Sequence, residues 1–163
     1  MNSNTKIKST KKLLFVFIVC LFLSGLSAIP VHTELTVLKQ TFSGTSWLSF
    51  WLNKIHEAYT DANTRYPFLF YGYDWLAFAH FILAILFIGP YRDPVRNIWV
   101  IQFGLIACVL VIPFAFIAGS VRDIPIGWRL IDCSFGVVGF VLLSVVFKKI
   151  NSIQTSIIKP SKI

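Results

Sequence analysis

Acidic residues are scarce in this chain: Asp and Glu number 7 against 15 Lys and Arg, and charged residues make up 13% of 163 positions. A soluble domain carries roughly 25% charged residues, dispersed along its surface elements, so the deficit argues against an ordinary soluble fold. Histidine is equally sparse. His32, His56 and His80 lie in separate segments, without a His-x-x-x-His pair or a second intramembrane His to complete a bis-histidine haem site, which excludes the common metal and haem patterns. Cys20, Cys108 and Cys133 are isolated within apolar runs, and the chain has no Cys-x-x-Cys pair for quinone-linked thiol exchange. They read as small hydrophobes. Glycine-rich phosphate loops, a Ser-centred nucleophile elbow and a zinc-protease helix are missing too, removing the familiar soluble-enzyme motifs. No cofactor is expected.

What the chain has is hydrophobicity in blocks. Apolar residues form 56% of it and concentrate in four stretches, 13–29, 73–89, 98–118 and 126–147, joined by short charged hinges. A helix needs roughly 20 mainly apolar residues to cross the hydrocarbon, and continuous rather than alternating runs favour helices over a barrel. The expected fold is all-α: a polytopic integral membrane protein, a four-transmembrane-helix bundle with an extracytoplasmic amphipathic helix between the first and second spans. The net charge of +8 does not point to nucleic acid, because the basic residues cluster at span ends instead of forming one basic face.

Those basic residues set the topology. With the N-terminus inside, Lys6, Lys8, Lys11, Lys12, Arg92, Arg96, Lys148, Lys149, Lys159 and Lys162 are cytoplasmic, ten against the five of Lys39, Lys54, Arg65, Arg122 and Arg129. The positive-inside rule therefore places both termini inside, with basic tails at 1–12 and 148–163. The first span also resembles a secretory signal, since Lys11 and Lys12 precede Leu13 to Leu23 and then Ser24-Gly25-Leu26-Ser27-Ala28, with cleavage after Ser27. Continuation of the apolar run to Ile29 favours a retained anchor. Phe17-Ile18-Val19 before Cys20 is too bulky for a lipoprotein-type site.

Residues 30–72 should form an extracytoplasmic loop, in which Val31 to Val37 alternates weakly, as a short strand or extended linker does. Near 46–61 the period becomes helical: Trp47, Leu48, Trp51, Leu52, Ile55, Ala58 and Tyr59 share a face, and Ser49, Asn53, Lys54, Glu57 and Asp61 fall largely on the other. Thr45 or Ser46 caps its start, and 61–67 supplies the break. Trp47 and Trp51 suit a helix lying in the headgroup region, and a lid packed on the bundle fits the same pattern. Trp75, Trp99 and Trp128 fall at span ends, as an aromatic belt requires.

The hinges repeat an order of Arg, Asp and Pro. Asp93 is placed to cap the third span with Pro94 as its first residue, and Arg122-Asp123-Ile124-Pro125 repeats the idea before the fourth. Convergent capping explains this more cheaply than an internal duplication. Small residues four apart, Ser24 with Ala28, Gly104 with Cys108 and Ala115 with Gly119, allow close helix approach, and Pro113 should kink the third span.

Ionisable residues within the spans gather in the extracytoplasmic half. Asp74 opens the second span and His80 lies about 9 Å deeper by helical rise. Arg129 and Asp132 occupy the first turns of the fourth span, three residues apart, so they share a face and can neutralise one another, with Gly136 and Gly139 continuing an inward stripe. The inner half holds only Gln102. Tyr73 shares the face of His80, whereas Asp74 is rotated away and reads as an interfacial cap. His80, Tyr73, Arg129 and Asp132 are therefore the ligand-binding or proton-exchange candidates, and Asp74, Trp47 and Trp51 the interfacial ones. In a purely structural role, Arg129 snorkels, Asp132 is its counter-ion and His80 donates to a neighbouring helix.

Three functions fit. The first is a non-enzymatic membrane component that binds membrane lipids and a membrane protein partner or a second copy of itself. The others are a lipid- or quinone-level enzyme using His80, Arg129 and Asp132, and a small proton-coupled transporter. One polar pair in four spans supplies little of a translocation path or catalytic spacing, which favours the first. Absence of N-x-[ST] acceptors and of a retrieval signal at Ser161-Lys162-Ile163 suits the bacterial cytoplasmic membrane.

Overall fold

The computed structural model describes residues 3–158, so Lys159, Lys162 and the triplet 161–163 used above lie outside the described residues. The chain is helical: α1 (Ser3–Ser27), α2 (Val31–Thr41), α3 (Trp47–Arg65), a 3-10 turn (Pro67–Phe70), α4 (Tyr71–Leu86), α5 (Ile88–Arg92), α6 (Ile98–Val121) and α7 (Ile126–Ile158). Among the described residues, Thr5–Ser27, Pro67–Arg92, Ile98–Val121 and Ile126–Thr155 are four stretches long and apolar enough to cross a membrane. This is an all-helical, multi-pass membrane architecture.

Two compact units divide the chain, one being Cys20–Ala84 and the other the described parts of Met1–Val19 and Ile85–Ile163. The larger is organised by a line along α7. Cys133, Gly136, Gly139, Leu143, Val146, Ile150 and Ile153 are all buried, at steps of three or four residues, which keeps one narrow seam facing its neighbours. Backbones come close along that seam because glycine leaves room. A Cβ on Gly136 would collide with Val111 and stand 2.8 Å from the Cys108 carbonyl oxygen, and one on Gly139 would stand 2.9 Å from Cys108 Sγ. Gly104 receives Leu143 and the Phe87 ring in the same way, both within 2.8 Å of where its Cβ would sit. In lipid, where apolar burial gives little drive, such close contact is what holds helices together.

At the charged end of this unit α1 is tied to α7 by reciprocal bonds, Lys6 Nζ donating to Ser152 Oγ and Lys149 Nζ donating to Ser9 Oγ. Thr10 and Leu14 are fully buried beneath them. The α5–α6 hinge departs from its expectation: Asp93 Oδ1 accepts from the Arg96 backbone N–H at 3.0 Å, but Asp93 ends α5 and the turn from Pro94 to Asn97 precedes α6, which starts at Ile98 with Asn97 at its N-cap position. Asn97 then closes the hinge by donating from Nδ2 to the carbonyls of Gly89 and Asp93.

In the smaller unit, Val31–Thr41 is a helix, not the strand or linker that its alternation suggests. Its β-branched residues fit a strand only if a partner edge exists, and here the neighbour is α3. Glu34 in the first turn and Lys39 in the last favour the helix dipole, and the Thr36 and Thr41 hydroxyls donate back to the carbonyls of His32 and Val37. Docking of α2 also rotates α3 from its expected orientation. Ser49, 3% exposed, and Leu52 are its buried residues, while Trp47 at 52% and Phe50 at 68% lie open and Ala58 is exposed. Ser46 caps α3, its hydroxyl accepting from the Ser49 N–H at 3.2 Å. Further along, a Cβ on Gly25 of α1 would stand 2.9 Å from the Ala77 carbonyl, so α1 and α4 also meet across a glycine.

Replacing Gly136 by Val is expected to destabilise the larger unit by about 1–3 kcal/mol, the cost of overpacking a tight contact. Val138→Ala, on an exposed position, is the control and should change stability by less than about 0.5 kcal/mol. Unfolding in mixed micelles checks both, and equal losses would show that the seam is not the tight contact.

Candidate functional site

Arg129 sits in the first turn of α7, where side chains lean toward the helix N-terminus. Its guanidinium accordingly reaches back into the α6–α7 hinge. Nε donates to the Ile124 carbonyl at 2.6 Å and NH1 to Ser120 Oγ at 2.8 Å, while the Arg129 side chain lies against Gly119, leaving only 2.7 Å to where a Cβ there would be. The hinge itself is a Schellman turn: the Ile124 N–H donates to the Gly119 carbonyl, the Asp123 N–H to that of Ser120, and Asp123 takes a left-handed φ of 53°. Asp123 is thus the terminator of α6 and not the N-cap that its likeness to Asp93 suggests. A cation at the negative end of α6 is favoured by the helix dipole as well as by these bonds.

Arg129 therefore does not neutralise Asp132. Among the described residues the ion pair is Arg65–Asp61, with Nε to Oδ1 at 2.8 Å. Asp132 also falls off the inward stripe, being exposed while its neighbour Cys133 is buried. The three-residue spacing puts the two on one face of a helix, but the buried line passes through position 133 and the guanidinium turns the other way.

The remaining candidates belong to the smaller unit. His80 is half-buried, and its Nδ1–H donates to the Leu76 carbonyl at 2.8 Å, one turn back in its own helix and not to a neighbouring one. Tyr73 and Asp74 line a cavity of about 430 Å³ together with Tyr59, Phe70 and Tyr71. Phe70 links its walls, with its ring centroid 4.4 Å from that of Tyr59 and 5.7 Å from that of Tyr73. Burial, with Tyr73 and Asp74 close by, pushes the Tyr59 phenol above its ordinary range. Asp74 lies in the first turn of α4 yet accepts no capping hydrogen bond among the described residues.

On α3, Lys54 Nζ lies 5.3 Å from the Trp51 ring centroid, and the buried Trp51 Nε1 has no hydrogen-bond partner among the described residues. Trp47 is open. The α2–α3 pairing also joins two residues that looked separate in sequence. The His32 and His56 rings are 5.6 Å apart, and Thr36 Oγ1 is 3.2 Å from His56 Nε2. Only the helical form of 31–41 reveals that contact. The Tyr59 and Phe70 walls of the cavity were hidden for a related reason, although the aromatic density from Tyr66 to Trp75 marks the region.

Comparison with protein-family models, curated proteins and solved structures finds no match for this chain. Arg129 and Asp132 lie in one unit, and His80 and Tyr73 in the other.

If Arg129 is a hinge clamp, Arg129→Ala should cost about 1.5–3 kcal/mol, the range for hydrogen bonds to charged groups. Asp132→Asn, at an exposed carboxylate with no ion-pair partner among the described residues, should stay within about 0.5 kcal/mol. Chemical unfolding in micelles separates the two; a larger loss for Asp132→Asn would restore the ion-pair view.

Proposed function

We propose that this chain is a non-enzymatic component of a bacterial cytoplasmic membrane that binds or assembles with other membrane molecules, a partner protein or a second copy among them. The observation that supports the reading is the use of Arg129: two of its five N–H donors, including Nε, are engaged by the Ile124 carbonyl and the Ser120 hydroxyl at the end of α6, so the guanidinium is held in the hinge. The strongest fixed charge near the proposed polar pocket is thereby a structural clamp.

In this reading both termini are cytoplasmic, and the segment holding α2 and α3 is extracytoplasmic. α3 acts as an amphipathic helix at the membrane surface. Trp47 and Phe50 are open on its first turn, on the same outward face as the exposed Asn53, Lys54 and Glu57 further along, so the rings would meet the acyl boundary at one end of the helix while the polar groups stay in water at the other. Exposed apolar positions along the spans, such as Phe114, Ile117 and Phe135, supply surface for lipid or for a neighbouring helix.

The test is mass spectrometry of the protein withdrawn from native membranes in lipid nanodiscs, comparing wild type with Asp132→Asn shown to remain folded. A stoichiometric protein, or a second copy, bound to both is expected. A quinone or solute bound to wild type alone would overturn the reading in favour of chemistry at Asp132.

A further inference from the structure

The cavity beside Tyr73 and Asp74 is not used by the assembly reading, and its chemistry is unusual for this chain. The whole protein carries a net charge of +8, yet no Lys, Arg or His is among the described residues that line this cavity, and one carboxylate, Asp74, is. That carboxylate has no ion-pair or hydrogen-bond partner among the described residues. Around it stand the rings of Tyr59, Phe70, Tyr71 and Tyr73, drawn from α3, the 3-10 turn and α4. A volume of about 430 Å³ is enough for a small organic group.

Ligand classes can be sorted by what they would meet there. An anion would face Asp74 with no cation to offset it. A neutral apolar group would displace water from the carboxylate and offer nothing in return, which is costly. A primary ammonium finds acceptors in Asp74 and the tyrosine hydroxyls, but it is a compact, strongly hydrated charge that gives up more water than a quaternary one to rest against ring faces. A quaternary ammonium has no donor to satisfy and spreads its charge over methyl groups that rest against ring faces, whose quadrupoles are negative. We propose that this cavity binds a quaternary ammonium group, with Asp74 as the counter-charge and the rings of Tyr59, Phe70 and Tyr73 as its walls. The group has two sources, a choline headgroup of a membrane lipid or a free solute. This site does not involve Arg129 or Asp132, so it and the assembly reading can fail separately.

The full chain in phosphatidylglycerol nanodiscs, which contain no ammonium, should be titrated with choline and with 3,3-dimethyl-1-butanol, its uncharged carbon analogue, following tyrosine and tryptophan fluorescence. Choline is expected to bind about fivefold more tightly than the analogue, the size of a cation–π contribution at partly exposed rings such as Tyr73. Asp74→Asn should weaken choline by a similar factor, and Tyr73→Leu should do so without removing the charge. Repeating the titration in phosphatidylcholine nanodiscs assigns the source: loss of the free-choline signal there means that the lipid headgroup fills the site, and an unchanged signal means a soluble ligand. Equal affinity for choline and its neutral analogue, no binding of either, or choline binding that both folded variants retain would each overturn the proposal. The comparison in wild type needs no variant, so a failure of either variant to fold leaves it decisive.

Discussion

Every backbone N–H and C=O that enters hydrocarbon must be paired within the protein, and helix ends are where a helical membrane protein meets that demand with least help. The hinge between α6 and α7 shows how this chain responds. Its Schellman turn satisfies the Gly119 and Ser120 carbonyls from the Asp123 and Ile124 amides, and Arg129 takes up the Ile124 carbonyl from the far side. Fixing the hinge sets the register of α7 against α6. Register then decides whether Gly136 meets Cys108 and Gly104 meets Leu143, which is the close approach on which the packing of the larger unit rests.

The same priority explains which features were legible in the sequence. Spans depend on composition over twenty or so residues, so four apolar helices could be read from hydrophobic blocks alone. Local capping is legible at Ser46, which accepts from the N–H three residues on without help from any distant segment, whereas Asp93 makes the same bond in the turn that precedes the helix it was expected to start. Asp123 was misread because the same short motif serves a helix end as well as a helix start, and the left-handed φ that decides between them is invisible in the order of residues. Val31 to Val37 was misread because weak alternation cannot outweigh a helical neighbour. Once α2 packed on α3, Ser49 went inward and Trp47 outward, a rotation that periodicity on α3 alone could not supply.

The candidate site followed a similar pattern. Spacing correctly places Arg129 and Asp132 within one turn of each other, but a long side chain answers to the nearest unsatisfied acceptors. These were carbonyl and hydroxyl groups in the preceding hinge, not the carboxylate one turn on. His80 likewise found the Leu76 carbonyl of its own helix. By contrast, Asp74, read as a simple interfacial cap, lines a cavity with Tyr59 and Phe70. Its walls come from the α1–α2 link, α2, α3, the Pro67–Phe70 turn and α4, so the grouping depends on how these segments fold back on one another, which no local motif encodes.

The proposed function depends most on topology: residues 30–72 on the outer surface, with the α5–α6 hinge and the basic ends on the inner one. The direct measurement is labelling by a membrane-impermeant maleimide in intact cells, with Cys20, Cys108 and Cys133 replaced by Ala and a single cysteine introduced at an exposed position on either side. Asn53→Cys is expected to label from outside, and Arg96→Cys only after the cells are opened. Labelling of Arg96→Cys in intact cells, with Asn53→Cys protected, would invert the topology and contradict the proposed placement of α3 and of the cavity beside Asp74.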